Sequence, residues 1–156
     1  MKKHISVLFL LILVTVCQVS AQLAAGYGTD GNTLSLSTDP LHVICGEFRA
    51  NTKSYNQSDW SHSDVGITQA YLLVRIFSAT NVSLYAGGGL GSNLLSKGSD
   101  KWLSVNIPLG LRINPFSKFP DLFITGEYNP MIIAEKGIPI IHSVSLGFRY
   151  RFCKEK

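Results

Sequence analysis

Helical periodicity, cysteine and charge on the strand-like segments are what this sequence has least of. Outside its first residues no stretch repeats apolar side chains at helical spacing, so no helical domain is predicted. No later segment carries enough consecutive apolar residues for a transmembrane helix. There are 3 cysteines in 156 residues. With the first segment removed only Cys45 and Cys153 remain, too few for a disulfide-built scaffold. They lie far apart and are read as two buried or free thiols, with a bridge as the second reading. Charged residues make up 15% of the chain, 14 Lys and Arg against 10 Asp and Glu. Without Lys2 and Lys3 the balance falls to 12 against 10, close to neutral. The whole-chain pI near 9.0 is therefore no argument for a nucleic-acid partner. Linkers, low-complexity tracts and domain breaks are also lacking.

What is present begins with an export signal. Lys2 and Lys3 precede a mostly apolar run from Ile5 to Val16, too short to span a bilayer and typical of a signal core. Val19-Ser20-Ala21 supplies the small residues of a cleavage site, which places residues 1–21 as signal and 22–156 as one domain. Cys17 raises a lipoprotein reading, but the bulky Val16 before it argues against lipidation.

The mature part reads as eight strands: 23–28, 33–37, 41–51, 65–77, 82–91, 102–113, 122–131 and 142–152. Asp30-Gly31 marks a hairpin, because glycine accepts positive φ. Short connectors at Asp39-Pro40, Ala79-Thr80-Asn81 and a Pro- and Phe-rich stretch fall on one side. Two long polar loops, 52–63 and 92–101, fall on the other. An even strand count with short turns at one end and long loops at the other is the pattern of bacterial transmembrane barrels. The first hairpin is shorter than a spanning strand requires.

Alternation defines two faces. Leu103, Val105, Ile107, Leu109, Leu111 and Ile113 oppose Ser104, Asn106, Pro108, Gly110 and Arg112. Val144, Leu146, Phe148, Tyr150 and Phe152 oppose Ser143, Ser145, Gly147, Arg149 and Arg151. Pro108 removes a ladder donor in a central strand. Between 65 and 77 the pattern is less regular: Tyr71 and Leu73 share parity with Arg75, and a β-bulge would reset the register. All five arginines lie on predicted strands, whereas every lysine after residue 21 lies in a loop or tail. A soluble barrel would carry Lys, Glu and Asp freely on its exposed strand face. The distribution points instead to a narrow interior of Arg–Glu pairs formed by Glu47, Arg49, Arg75, Arg112, Glu127, Arg149 and Arg151, with the apolar face towards lipid. Phe116, Phe119 and Phe123 are expected at one rim, and Trp60 and Trp102 at the other.

The signal ending Val19-Ser20-Ala21, the Tyr85-Ala86-Gly87-Gly88-Gly89 run, Pro108-Leu109-Gly110-Leu111-Arg112 and the terminal Leu146-Gly147-Phe148-Arg149-Tyr150-Arg151-Phe152 together resemble the small eight-stranded outer-membrane β-barrels of the OmpA/OmpX-like kind. The resemblance implies an all-β, closed, antiparallel up-and-down transmembrane barrel. It also implies that Phe148, Tyr150 and Phe152 form the signal read by the outer-membrane barrel-assembly machinery. In this chain four residues follow Phe152, where the strictest form of the signal ends on the aromatic.

Catalytic and ligand motifs are sparse. His142, Ser143, Ser145 and Glu127 are the candidates for a lipid A-modifying site, but neighbouring strand residues point to opposite faces, which separates His142 from Ser143. His62 with Asp59 and Asp64 lacks metal-ligand spacing and reads as solvated loop. Gly87-Gly88-Gly89 lacks the lysine and helix of a phosphate loop, and Asn81-Val82-Ser83 is read as a chance glycosylation match. The expectation is a non-enzymatic integral protein of the Gram-negative outer membrane, without metal or cofactor. Its partners would be outer-membrane lipids and lipopolysaccharide. Its role would be structural, adhesive or ligand-capturing through the loops around Trp60 and Lys97. A narrow solute channel, a lipid-modifying enzyme and a soluble periplasmic lipocalin-like binder are the alternatives.

Overall fold

The computed structural model describes residues 23–30, 32–51, 67–93, 102–134 and 140–152. Among them there is no helix. Nine strand segments are present: β1 (Leu23–Gly28), β2 (Thr33–Thr38), β3 (Ile44–Asn51), β4 (Thr68–Ser78), β5 (Val82–Ser92), β6 (Leu103–Asn106), β7 (Leu109–Ile113), β8 (Leu122–Ile133) and β9 (Ile141–Arg151). Each pairs antiparallel with its sequence neighbours in the wall, and β1 pairs with β9, so the sheet closes on itself.

β6 and β7 are two halves of one wall strand. Both lie between β5 and β8. Asn106 faces Gly89 and Met131, Leu109 faces Ala86 and Tyr128, and the register is the same before and after the break. The interruption at Ile107-Pro108 is where the sequence warned of it, since Pro108 has no N–H to give. The ladder is still bridged there, with Gly87 N–H donating to the Pro108 carbonyl at 3.0 Å and Ile107 N–H to that of Pro130 at 3.2 Å. The wall is therefore a closed, eight-stranded, up-and-down antiparallel barrel.

Strand edges differ from the sequence expectation by a few residues. β3 begins at Ile44 and not at 41, because Asp39 ties the preceding backbone into a turn. Its carboxylate accepts from Leu41 N–H at 2.9 Å, and its carbonyl from His42 N–H at 3.2 Å. β1 and β2 keep the predicted shortness, at 6 residues each. In the β1–β2 turn Asn32 takes positive φ, 52°, a conformation that asparagine tolerates. The bulge expected somewhere in β4 lies between Arg75 and Phe77. Tyr71, Leu73 and Arg75 therefore all stay on the inner face, and only the final residues of the strand change register.

The two faces are opposite in chemistry. Leu34, Leu36, Phe48, Leu72, Leu90, Val105, Leu111, Val144 and Phe148 are among the large apolar side chains exposed on the outside, and every strand contributes. Among the described strand residues no Asp, Glu, Lys or Arg points outward; the outer polar groups are the hydroxyls of Tyr27, Tyr128 and Tyr150, with Thr38, Thr68, Ser92 and His142 near strand ends. The inside buries Glu47, Arg49, Arg112, Glu127, Arg149, Gln69, Asn106 and Asn129. Two small apolar clusters share the interior. One joins Cys45, Tyr71, Leu73 and Tyr85, and the other joins Ile67, Met131 and Ile133 beneath Trp102 and Ile141.

One end of the barrel carries the connectors 39–43, 79–81 and 114–121. The other carries the β1–β2 turn and the connectors whose central residues lie outside those described. We call them the turn end and the loop end.

Candidate functional site in the barrel lumen

Alternation along β3, β8 and β9 sends Glu47, Arg49, Glu127 and Arg149 into the same cross-section, and there they join. Arg49 forks onto Glu127, with Nη2 2.7 Å from Oε2 and Nη1 on Oε1. Its Nε donates to Glu47 Oε1 at 2.9 Å. Arg149 Nη2 reaches the same Glu47 oxygen at 2.6 Å. The planar, fixed donor fork of arginine suits this bridging role, which a lysine ammonium would not fill. Two carboxylates thus compensate two guanidinium groups. This pairing is what makes the burial tolerable, since an isolated charge in such a place costs several kcal/mol.

Tyrosines complete the plug. Tyr85 O–H donates to Glu127 Oε2 at 2.7 Å. The Tyr71 hydroxyl accepts from Asn129 Nδ2 at 2.6 Å. Their ring faces carry cations: the Arg49 guanidinium sits 4.4 Å from the Tyr71 centroid, and that of Arg112 sits 4.2 Å from the Tyr85 centroid. Room for the Tyr85 ring comes from Gly110 on the neighbouring strand. A methyl group there would lie 2.3 Å from Tyr85 Cζ. Beside these groups lies a cavity of about 30 Å³ against Glu47, Arg149 and Asp30, room for about two waters. Glu47 and Arg149 are among its lining residues, and Glu47 Oε2 and Arg149 Nε and Nη1 have no protein partner.

The remaining arginines of the predicted set are not part of this cluster of ion pairs. Arg112 gives Nη1 to the Pro40 carbonyl at 2.5 Å and has no carboxylate partner among the described residues. Arg75 caps the Leu41 carbonyl. Arg151 pairs at the turn end with Asp121, 2.7 Å, and more loosely with Asp39, 3.7 Å. Both aspartates sit in connectors, where strand alternation gave no reason to look for partners.

Other candidates fall as follows. His142 is on the outer surface, stacked on Tyr128 and 2.6 Å from its hydroxyl, while Ser143, Ser145 and Glu127 face inward. The barrel wall separates the imidazole from both hydroxyls and the carboxylate. Among the described residues no cluster of His, Cys, Asp or Glu is arranged to ligate a metal. Phe148, Tyr150 and Phe152 all point outward, with Tyr150 and Phe152 packed edge to face at 5.3 Å. Phe116 and Phe119 are exposed at the turn end, but Phe123 is buried inside, a correction to its expected place on the rim. Its odd number on β8, shared with Glu127, carried that signal. Cys45 is a buried free thiol. Trp60, His62, Lys97 and Cys153 lie outside the described residues.

Near the loop end Asp30 accepts from Ser143 Oγ at 3.0 Å and Thr33 Oγ1 at 3.1 Å, and burial raises its carboxyl above the ordinary range.

Comparison with protein-family models, with curated proteins and with solved structures finds no match. The geometry of the chain itself therefore carries the functional reading.

Proposed function

We propose that this chain is a non-enzymatic integral β-barrel of the Gram-negative outer membrane, of the OmpA/OmpX-like kind, with a structural, adhesive or ligand-interaction role. One observation carries the reading. The described outer face of the strands is apolar around the whole circumference and bears no Asp, Glu, Lys or Arg, while the charges face inward. A water-facing barrel has the reverse distribution, and soluble monomers rarely expose apolar patches beyond a few hundred Å². Lipid is the solvent that such a surface fits, and a closed barrel leaves no unpaired strand edge to it. The short turns at one end match the periplasmic side of such barrels. The signal at 1–21 supplies the route, and the outward aromatics of β9 supply the feature read by the assembly machinery. Outer-membrane lipids and lipopolysaccharide are then the immediate partners.

The filled lumen favours the structural role over a channel. Eight strands enclose just enough space for their own side chains, and here the Arg49–Glu127 pair spans it. Heat-modifiable gel mobility of protein recovered from purified outer membranes tests the proposal. The expected result is a folded band in that fraction that shifts on boiling. Protein found soluble in the periplasm, without a shift, would favour the lipocalin-like binder.

A further inference from the structure

We propose that the barrel thins the bilayer beside its β1–β2 hairpin, where the wall is too short to span hydrocarbon of ordinary thickness. The inference rests on the proposed membrane role and adds to it the form of the lipid surface that the barrel fits.

β1 and β2 have 6 residues each, against 12 in β8 and 11 in β9. The difference lies at the loop end. At the turn end β1 and β9 are level, with Phe152 N–H donating to the Leu23 carbonyl at 2.8 Å. At the loop end the last β1–β9 pair is Gly28 with Gly147, while β9 reaches on to Ile141. A rise of about 3.3 Å per residue and a tilt of about 40° make the wall about 15 Å tall at the hairpin and about 28–30 Å tall at β8 and β9. The apolar band of such barrels is about 25 Å tall. Tilting the whole barrel does not help, because the short wall cannot reach both boundaries of that band at once.

The two walls also end differently. From β6 to β9 the outer face stays apolar towards the loop end, where Leu103, Val105, Ile132 and Val144 are exposed, Val144 at 73%. A sheet rising into water would not keep such a face. On β2 only Leu34 and Leu36 stand outward above Thr38 before the polar turn begins. In that turn Tyr27 O–H donates to Asn32 Oδ1 at 2.8 Å on the surface. The Thr29 hydroxyl accepts from Leu146 N–H at 3.1 Å, beside the exposed Leu146 side chain. A level boundary would therefore either leave the tall wall's apolar face in water or cover the turn with hydrocarbon, which offers its polar groups no partner. A bilayer that meets a short apolar wall thins locally, at a modest cost per ångström. A boundary that steps down by about 10 Å beside β1 and β2 satisfies both walls.

The test places arginine at matched heights on the two walls of the refolded mature chain, in dioleoyl-phosphatidylcholine vesicles, and reads the folding equilibrium constant from urea titrations. Leu34 and Leu109 stand equally far from the turn-end limits of their strands, Thr38 and Ile113. Ile107 stands higher than either. Leu109→Arg should lower the constant at least about thirtyfold, as an arginine deep in hydrocarbon does. Ile107→Arg should lower it at least about fivefold, and Leu34→Arg by less than that, as near an interface. Equal losses for Leu34→Arg and Leu109→Arg would overturn the thinning, because a level bilayer depends on height alone. A smaller loss for Ile107→Arg than for Leu34→Arg would overturn it too, by placing the tall wall's upper part in water. Equal losses together with a cross-linked dimer that Leu34→Arg abolishes would assign the short wall to a second copy of the chain instead. Heat-modifiable mobility verifies that each variant is folded. Should an arginine variant fail that check, glutamine at the same three positions must give the same order with smaller losses, and any other order overturns the proposal. Wild-type chain that does not fold into the vesicles at all would overturn the membrane role itself, an outcome distinct from equal losses in a barrel that does fold.

Discussion

Arg49 and Glu127 meet across the full width of the barrel. They stand on β3 and β8, four wall positions apart in a ring of eight, and are bound through both guanidinium Nη atoms and both carboxylate oxygens. A two-pronged contact between opposite walls is a strut across the lumen. Glu127 also takes the Tyr85 hydroxyl, and Arg49 also takes Glu47, so the strut is anchored on three strands.

Removing both ends of the strut is expected to cost less than the two single losses added together. Glu127→Ala leaves part of a buried guanidinium and the Tyr85 hydroxyl without partners, and should lower the unfolding free energy by about 3–5 kcal/mol. The paired change Arg49→Met with Glu127→Met should cost less than the sum of the two single changes, because neither charge is then stranded. Urea unfolding of the refolded barrel measures both. A cost for Glu127→Ala below about 1 kcal/mol, the worth of an exposed pair, would contradict the strut.

Gly110 and Tyr85 make a second paired prediction. Gly110→Ala would set its methyl 2.3 Å from Tyr85 Cζ, so the ring or the strand must move. Overpacking of this kind typically costs about 1–3 kcal/mol. The same substitution made in a Tyr85→Leu background should cost distinctly less, as the obstructing ring is gone. Equal costs in the two backgrounds would show that the close approach to the ring is not what requires glycine.

Asp30 gives a pH dependence with a definite sign. Its folded carboxyl is raised above the ordinary value of 3.8, burial being the largest cause, against the lowering effect of the Ser143 and Thr33 hydroxyls. The folded chain therefore keeps this proton to higher pH than the unfolded chain does. The stability tied to the protonated form is present in acid and is lost as pH rises through the raised value. Asp30→Asn removes this dependence. The difference in unfolding free energy between the wild type and the variant should fall as pH rises from the ordinary carboxylate range towards neutrality. A difference that rises instead would mean that the two hydroxyl hydrogen bonds outweigh burial.

Alternation made most of the wall legible in the sequence, because a strand residue's face depends only on parity. The outward row from Leu103 to Ile113 and the inward set Glu47, Arg49, Glu127 and Arg149 follow from that rule. Even Pro108 was legible as an interruption, although not that the register would continue unchanged past it. Partner identity was a different matter. Arg151 pairs with Asp121 and Asp39 from connectors, and Glu127 takes Tyr85 from a strand two wall positions away. Such contacts depend on barrel curvature and side-chain length, which one strand's pattern does not encode. Phe123 was misplaced for a simpler reason: its closeness to Phe116 and Phe119 in sequence suggested a girdle, while its parity already placed it inside.

The outer face supplies the prediction on which the membrane reading depends. Leu72 lies midway along β4 and is 58% exposed. In a water-facing barrel Leu72→Arg would be an ordinary surface change, worth within about 0.5 kcal/mol either way. In a bilayer the same arginine sits in hydrocarbon and should cost about 2–4 kcal/mol near the midplane. Phe119→Arg is the control, since Phe119 is equally exposed but lies on the turn-end connector, beyond the strands. Unfolding titrations in phospholipid vesicles should show a large loss for Leu72→Arg and little change for Phe119→Arg. Equal, small effects of both would remove the argument for lipid contact, because the apolar belt would then be facing a medium in which charge is cheap.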